Sequence, residues 1–129
     1  MYNTKAVSGI NVDIKWNNKE PIYLQLRDRL IELIMDGLLQ EGDALPSVRQ
    51  IASEQRINPI TVSKALQLLV DDELVEKKRG LGMYVVTGAQ DKLRRQEREK
   101  FLRQEWPEIV ARIERLGLEI HELPGGEKG

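Results

Sequence analysis

Residues 45–70 read LPSVRQIASEQRINPITVSKALQLLV and contain two helix starts separated by a tight break. Ser47 precedes Gln50 by three residues, the spacing of a capping box, in which the hydroxyl accepts a first-turn N–H and the amide reaches back. Asn58 and Pro59 form the second start, because Asn is a favoured N-cap and Pro at the first helical position has no N–H to leave unpaired. Two helices joined across so short a break predict a helix-turn-helix.

The second of these helices, residues 59–70, has an apolar side and an outward side. Val62, Leu66 and Leu69 recur at helical spacing and predict the side that packs on a core. In a helix-turn-helix this helix enters the major groove of DNA, where short hydroxyls and a Lys can contact phosphates or base edges. At about 100° per residue, the outward side carries Ile60, Ser63, Lys64, Gln67 and Asp71, with Thr61 on its flank.

The segment that follows predicts a β-hairpin. Residues 74–79 and 83–87 are strand-like, and the short Gly-containing loop between them favours a hairpin, which in this position is the wing of a winged helix-turn-helix. We expect the basic cluster near its tip to contact phosphates or the minor groove; the alternative is a set of edge cations that keeps the hairpin soluble. The cluster consists of Lys77, Lys78 and Arg79, next to Gly80.

The N-terminal side of the helix-turn-helix predicts two further elements. Residues 12–16 alternate between apolar and polar side chains and predict a short edge strand. Pro21 opens a first helix, whose apolar stripe begins at Ile22 and continues until Gly37 ends it. Residues 41–43 are interpreted as a turn before the second helix.

Composition restricts the function. The 129 residues carry 20 Lys and Arg against 21 Asp and Glu, so only a local basic patch can serve nucleic-acid binding. The chain has no cysteine and one histidine, which excludes disulfides, thiol catalysis and thiolate metal sites and leaves no catalytic constellation. With no signal peptide and no apolar run of about 20 residues, we expect a cytoplasmic protein that is not an enzyme, does not contact a membrane and needs neither cofactor nor metal.

The C-terminal part predicts two helices that cannot form a core alone. Residues 91–105 are strongly charged and helix-favouring, and Pro107 restarts a helix with an apolar stripe that Gly117 ends. These helices need either the first domain or a second copy of the chain, and we expect a homodimer. Trp106 then belongs to the dimer core, the alternative being a ligand platform. The residues predicted to dimerise are Leu93, Phe101, Leu102, Trp106, Ile109, Val110, Ile113 and Leu116.

The segment LPSVRQIASEQRINPITVSKALQLLVDDELVEKKRGLGMYV, residues 45–85, resembles the winged helix-turn-helix of the GntR family of bacterial transcription regulators. Glu20-Pro21-Ile22-Tyr23 with Leu26 is similar to the opening of that family's first helix, so the resemblance covers roughly residues 12–88. The 40 or so residues after Gly88 resemble the YtrA subfamily, whose C-terminal helices serve mainly to dimerise. This resemblance implies a DNA-binding regulator, and we expect a repressor.

The resemblance also implies roles for single residues. Arg49 stands where the family has a DNA-contacting Arg on the second helix, and Arg79-Gly80 matches the wing tip that enters the minor groove. Glu73 departs from the family, which commonly has Gly there, and Ile60 is apolar at a position that is often polar or charged. The recognition positions are Pro59, Ile60, Thr61 and Ser63.

Three of these residues have open alternatives. Arg49 contacts DNA, the alternatives being a solvated helix residue or a salt-bridge partner of Glu54 at i+5, a spacing poor for pairing on one helix. Asn58 is mainly a cap, the alternative being direct base contact. Ile60 either packs against the second helix or contacts a thymine methyl group.

The sequence as a whole therefore predicts a mainly α fold with a small β wing. Its expected domains are a lead-in (1–11), a winged helix-turn-helix DNA-binding domain (12–88), a helical dimerisation region (89–123) and a flexible tail (124–129). We expect a dimer on a palindromic operator of double-stranded DNA, with residues 59–70 in the major groove and the wing, 76–84, at the minor groove. The alternative is a winged-helix module for protein or RNA contact, and a small-molecule effector is a further expected partner. The predicted DNA-binding residues are Arg49, Asn58, Pro59, Ile60, Thr61, Ser63, Lys64, Lys78, Arg79 and Gly80.

Overall fold

The computed structural model describes residues 12–125 and is mainly helical. It divides into two compact units, the first ending at Leu93 and the second beginning at Arg94. Among the described residues, the first unit contains three complete helices, the beginning of a fourth and one two-stranded antiparallel sheet, in agreement with the predicted fold class.

The three helices of the first unit are α1 (Ile22–Met35), α2 (Val48–Gln55) and α3 (Pro59–Asp71). Helix α3 packs against both α1 and α2, and the apolar stripes of all three meet in one core. Ile22, predicted to begin the stripe of α1, is instead 43 % exposed. The fully buried side chains include Val12, Leu26, Leu30, Leu33, Ile34, Leu39, Ile51, Val62, Leu66, Leu69, Leu74 and Val75.

Both predicted helix starts of the helix-turn-helix are present. The Gln50 N–H donates to Ser47 Oγ at 3.0 Å, and the Ile60 N–H donates to Asn58 Oδ1 at 2.8 Å. The Gln50 amide does not complete the capping box among the described residues: its Nε2 donates to Glu54 Oε1 at 3.2 Å, one turn further along α2, and its oxygen accepts no bond from the Ser47 N–H. One hydroxyl and one amide oxygen therefore cap the two helices.

The wing consists of β1 (Val75–Lys78) and β2 (Gly82–Val85), paired antiparallel so that the first residue of β1 faces the last of β2. A third segment, which the sequence indicated as a turn, adds to β2 from the other side. The N–H groups of Gly42 and Leu45 donate to carbonyls of β2 at 2.8 and 2.9 Å, and the Val85 N–H donates to the Asp43 carbonyl at 2.9 Å. The connection between α1 and α2 therefore acts as the third strand of the wing.

The predicted edge strand over residues 12–16 is wrong, because this segment pairs with no strand within the described residues. Val12 is fully buried in the core, and its carbonyl accepts from Arg29 Nε at 2.8 Å. Asp13 then has a φ of 37°, which is incompatible with a continuous strand. The segment is fixed by side chains of α1 instead of by a backbone ladder.

Three helix ends of the first unit use a left-handed residue: Gly37, Arg56 and Glu73, with φ of 82°, 55° and 58°. At the end of α3, the Glu73 N–H donates to the Val70 carbonyl and the Leu74 N–H to the Leu69 carbonyl, both at 3.0 Å. This is the Schellman pattern, in which Gly is the usual left-handed residue. Glu73 therefore forms the turn that the resemblance assigned to Gly, in a conformation that disfavours its Cβ.

The C-terminal part contains α4 (Ala89–Lys100), a π-helical segment (Phe101–Glu105), α5 (Trp106–Arg115) and a short 3₁₀ turn (Ile120–Glu122). The sequence predicted that Pro107 restarts a helix after a break, but Glu105 and Trp106 both keep helical dihedral angles. The Trp106 N–H donates to the Phe101 carbonyl, the i→i−5 bond of a π-helix. This wider turn accommodates Pro107 without interrupting the helical path.

Candidate nucleic-acid interface

The outward side of α3 is the first part of the candidate interface. Ser63, Lys64 and Gln67 are exposed, as their spacing predicted, while Val62 is fully buried beneath them. Ile60 is 76 % exposed, so its side chain does not pack against α2 as one alternative proposed. Thr61 is half-buried on the flank, and Pro59 is exposed at the helix start. The helix thus offers a polar surface with one apolar residue at its N-terminal end.

A cleft of about 880 Å³ lies between this surface and the wing. Its floor includes apolar side chains such as Leu66 and Met83, and the three cations of the wing line its other side. No Asp or Glu lines it, which removes one source of repulsion toward a phosphate backbone. The polar and cationic residues that line the cleft are Ser47, Gln50, Ser63, Gln67, Lys77, Lys78, Arg79 and Tyr84.

The tip of the wing is a tight turn whose shape depends on two contacts. The Leu81 N–H donates to the Lys78 carbonyl at 2.9 Å, and Tyr84 Oη donates to the Leu81 carbonyl at 3.0 Å. Gly80 has a φ of 75°, a left-handed conformation that residues with a Cβ rarely adopt. Arg79 is exposed at this tip, and Lys78 Nζ lies 2.9 Å from Glu76 Oε1. Arg79 is therefore exposed at the tip of a turn whose backbone is held by the Tyr84 hydroxyl.

Lys64 makes a contact that the sequence did not indicate. Its Nζ lies 4.2 Å from the centroid of the Tyr23 ring, which belongs to the first turn of α1. The two residues are 41 positions apart, so no periodic pattern within one helix could have shown the contact. Lys64 does not line the cleft toward the wing.

The predicted DNA-binding residues thus fall into two groups. Those that line the cleft are Ser63, Lys78, Arg79 and Gly80, whereas Arg49, Asn58, Pro59, Ile60, Thr61 and Lys64 lie outside its lining. Arg49 is exposed on α2, beside Gln50, which does line the cleft. The list of predicted DNA-binding residues omitted Gln50, Gln67 and Lys77, although Lys77 belongs to the basic cluster that we expected to contact phosphates. Gln67 could have been included, because it lies one helical turn after Ser63 on the outward side.

The second unit carries most of the residues predicted to dimerise. Leu93, which was also predicted to dimerise, lies instead in the first unit, where it is 4 % exposed and belongs to the core. None of the residues described from Arg94 onward is buried in the single chain. Phe101 and Trp106 have ring centroids 6.2 Å apart, within the range of an aromatic pair. The exposed apolar side chains of this unit are Phe101, Leu102, Ile109, Leu116, Leu118 and Ile120, and those of Trp106, Val110 and Ile113 are half-buried.

One group of side chains in the part of the chain that is described could converge on a metal ion. His121 and Glu122 lie on the 3₁₀ turn and Glu119 directly precedes it, and one ligand atom from each is within 4.8 Å of the others. All three are exposed, and His121 Nδ1 is 3.3 Å from Glu119 Oε2, so a direct contact between these two side chains already accounts for their proximity. None of the helices described between residues 12 and 125 has the length and apolar composition needed to cross a bilayer.

Known proteins with similar sequence and structure are transcriptional regulators. Residues 22–85 match the model of the family described as bacterial regulatory proteins, gntR family. The HTH-type transcriptional regulator YhcF of Bacillus subtilis, itself uncharacterised, is 31 % identical, over 91 % of this chain and 95 % of YhcF. The HTH-type transcriptional repressor YtrA of the same organism is 30 % identical, over 87 % of this chain and 85 % of YtrA. The crystal structure of a transcriptional regulator from Oenococcus oeni superposes with a TM-score of 0.68 at 28 % identity, covering 82 % of this chain and 87 % of that one. This chain therefore belongs to the GntR family of bacterial regulators, is a transcriptional regulator with a helix-turn-helix DNA-binding domain rather than an enzyme, and is similar to YtrA within that family.

Proposed function

We propose that this regulator is a repressor that binds a palindromic operator as a two-fold dimer, with α3 in the major groove and the wing at the adjacent minor groove. The observation that carries this proposal is the cleft between α3 and the wing, because polar side chains of α3 and cations of the wing line its two sides beside apolar residues, and no carboxylate lines it. A B-DNA backbone would meet positive charge on the wing side and polar side chains on the helix side.

The residues of α3 suit base reading as well as backbone contact. The Ser63 hydroxyl can donate a hydrogen bond to a base edge or accept one from it, and Gln67, one turn further, can pair with adenine through its amide. Ile60, 76 % exposed, suits a thymine methyl group in contact with the N-terminal end of the helix. Arg79 at the wing tip is a cation of the kind that enters a narrow minor groove. Specificity would thus come from α3 and orientation from the wing.

The dimer part of the proposal rests on the second unit. A helical unit with no buried residue among those described gains little from folding alone, because its apolar side chains stay in water. Covering the stripe of α5 with the same stripe of a second copy would remove that exposure. Closed two-fold symmetry is the commonest way in which identical chains associate, and it predicts inverted half-sites in the DNA.

The repressor assignment is supported by relatives. YtrA is named a transcriptional repressor, and so is the mannosyl-D-glycerate transport and metabolism regulator MngR of Escherichia coli, which matches over half of this chain. A dimer that covers an operator within a promoter would exclude RNA polymerase. Such a regulator would act in the cytoplasm, where the bacterial chromosome lies.

Selection of bound sequences from random duplex DNA tests the proposal directly. We expect enrichment of an inverted repeat whose half-sites lie about one helical turn, roughly 34–36 Å, or a multiple of it apart. A single unrepeated half-site would contradict the dimer, and enrichment of no sequence would contradict operator recognition. A parallel selection with random RNA tests the alternative module, which predicts enrichment in the RNA pool.

The oligomeric state has its own test and control. Light scattering is expected to give twice the chain mass of 14.8 kDa. Ile113→Asp, which places a charge on the half-buried stripe of α5, should give the mass of one chain. The matched control, Arg112→Asp on the exposed side of the same helix, should leave the dimer intact.

A further inference from the structure

The contact between Lys64 and Tyr23 joins the outward side of α3 to the beginning of α1. Lys64 Nζ lies 4.2 Å from the centre of the Tyr23 ring, a cation–π distance. Tyr23 is half-buried and packs against the hydrophobic core, so the ring is a fixed surface. Lys64 is exposed. An exposed cation thus rests on an aromatic ring that the core holds in place.

This arrangement restricts where the Lys64 ammonium can be. A surface Lys samples many rotamers, and ordering it for a ligand costs conformational entropy. No carboxylate among the described residues pairs with Lys64, so the ring is the contact that restricts it. Since the ring occupies one side of the ammonium, its remaining N–H donors can still bind an acceptor.

The position of Lys64 on α3 indicates which acceptor this is. Ser63 and Gln67 line the cleft toward the wing, whereas Lys64 does not line it and leans toward α1. A helix placed in the major groove is flanked by the phosphates of the two strands. A compact ammonium suits a single phosphate oxygen, while planar readout of a base favours Arg or an amide.

We propose that Tyr23 is a positioning residue for DNA binding: it holds the Lys64 ammonium beside α1 and outside the cleft, where it binds a backbone phosphate. This inference rests on the proposed orientation of α3 in the major groove. According to this inference, the first turn of α1 contributes to the affinity for DNA. Tyr23 makes this contribution through Lys64 and not through a DNA contact of its own.

Four variants test the coupling between the two side chains. They are Tyr23→Phe, Tyr23→Leu, Lys64→Met and the double variant that combines Tyr23→Leu with Lys64→Met. Affinity for the selected operator is measured by fluorescence anisotropy over a series of salt concentrations. Lys64→Met should lower the slope of log affinity against log salt by about one, the value for one lost phosphate contact. Tyr23→Leu should weaken binding about two- to five-fold, because it removes the ring from a solvent-exposed cation. Tyr23→Phe, which keeps the ring, should bind like the native protein.

The double variant separates positioning from a general structural role. If Tyr23 acts through Lys64, Tyr23→Leu should have no further effect once Lys64 is Met. Equal losses in both backgrounds would overturn the proposal, since a core defect would weaken binding whatever residue stood at position 64. A loss in Tyr23→Phe as large as in Tyr23→Leu would also overturn it, because it would assign the effect to the hydroxyl.

A second substitution guards against misfolding of Tyr23→Leu. Site-specific difluorophenylalanine at position 23 keeps the ring and has no phenol to ionise, but its fluorines weaken the negative potential of the ring face. It should reduce affinity in the native background and leave it unchanged beside Lys64→Met. Unchanged affinity in the native background would overturn the proposal.

Binding to DNA of random sequence distinguishes a failure of the proposed function from a failure of the positioning role. The same variants are measured on a duplex of random sequence, on which phosphate contacts persist without base readout. If no operator is selected but the coupling is present on random duplex, operator recognition fails and the positioning role stands. If an operator is selected and the coupling is zero, the positioning role alone fails.

Discussion

Replacing Asn58 separates the stability of α3 from its contact with DNA. Asn58 Oδ1 accepts the Ile60 N–H at 2.8 Å, and Pro59 has no N–H, so this bond satisfies the first donor that the helix presents. Replacing an N-cap Asn with Ala costs about 1 kcal/mol, within a range of roughly 0.5–2 kcal/mol. For a unit of this size, about 1 kcal/mol corresponds to a fall of roughly 4–8 °C in melting temperature.

Asn58→Asp and Asn58→Ser are the informative companions of Asn58→Ala. Both keep an oxygen that can cap the helix, and the Asp charge also interacts favourably with the helix dipole, so we expect melting temperatures close to the native value. In DNA binding the two should differ, because a carboxylate at the groove end of α3 would repel phosphates whereas a hydroxyl would not. Asn58→Ser should therefore bind the operator like the native protein, and Asn58→Asp should bind it more weakly.

Thermal denaturation followed by circular dichroism and anisotropy titration with the operator measure the two properties. A native melting temperature for Asn58→Ala would refute the capping argument. A loss of affinity in Asn58→Ser without a change in melting temperature would show instead that the amide itself contacts a base.

Two further predictions concern the end of α3 and the wing. Glu73→Gly should raise the free energy of unfolding by about 1 kcal/mol, because Gly adopts the left-handed conformation at position 73 without a Cβ penalty; chemical denaturation measures this, and Glu73→Ala, which keeps the Cβ, should show no comparable gain. Arg79→Ala should lower the slope of log affinity against log salt by about one unit if the wing tip contacts a phosphate. An unchanged slope would return the basic cluster to a role in solubility.

Local patterns predicted the first unit well wherever the structure depends on neighbours in sequence. The N-caps at Ser47 and Asn58, the buried side of α3 and the wing hairpin are all confirmed. Each depends on residues within a few positions of one another, which helical spacing, capping preferences and turn composition describe.

Most of the predictions that were wrong or absent involve longer-range contacts. Alternation over residues 12–16 indicated a strand, but a buried Val12 and a bond from Arg29 hold that segment instead. The strand-like pairing of residues 42–45 with β2 and the contact between Lys64 and Tyr23 join distant positions, which no local period records. At Pro107 the sequence predicted a helix break, whereas the structure has a π-helical turn. The missing N–H of Pro107 is consistent with either, so the sequence alone could not distinguish them.

The connection between α1 and α2 has a mechanical consequence for the regulator. An isolated hairpin is marginally stable in water, and the wing gains stability both from the segment that pairs with β2 and from Val75 and Val85, which are buried in the core. That segment leads within a few residues to Ser47, the cap of α2. The connection between α1 and α2 is therefore attached to the wing at one end and to the helix-turn-helix at the other, so it links the positions of these two elements. We expect a substitution in this connection to change the width of the cleft between α3 and the wing, and with it the groove geometry that the protein accepts, without replacing any of the predicted DNA-binding residues.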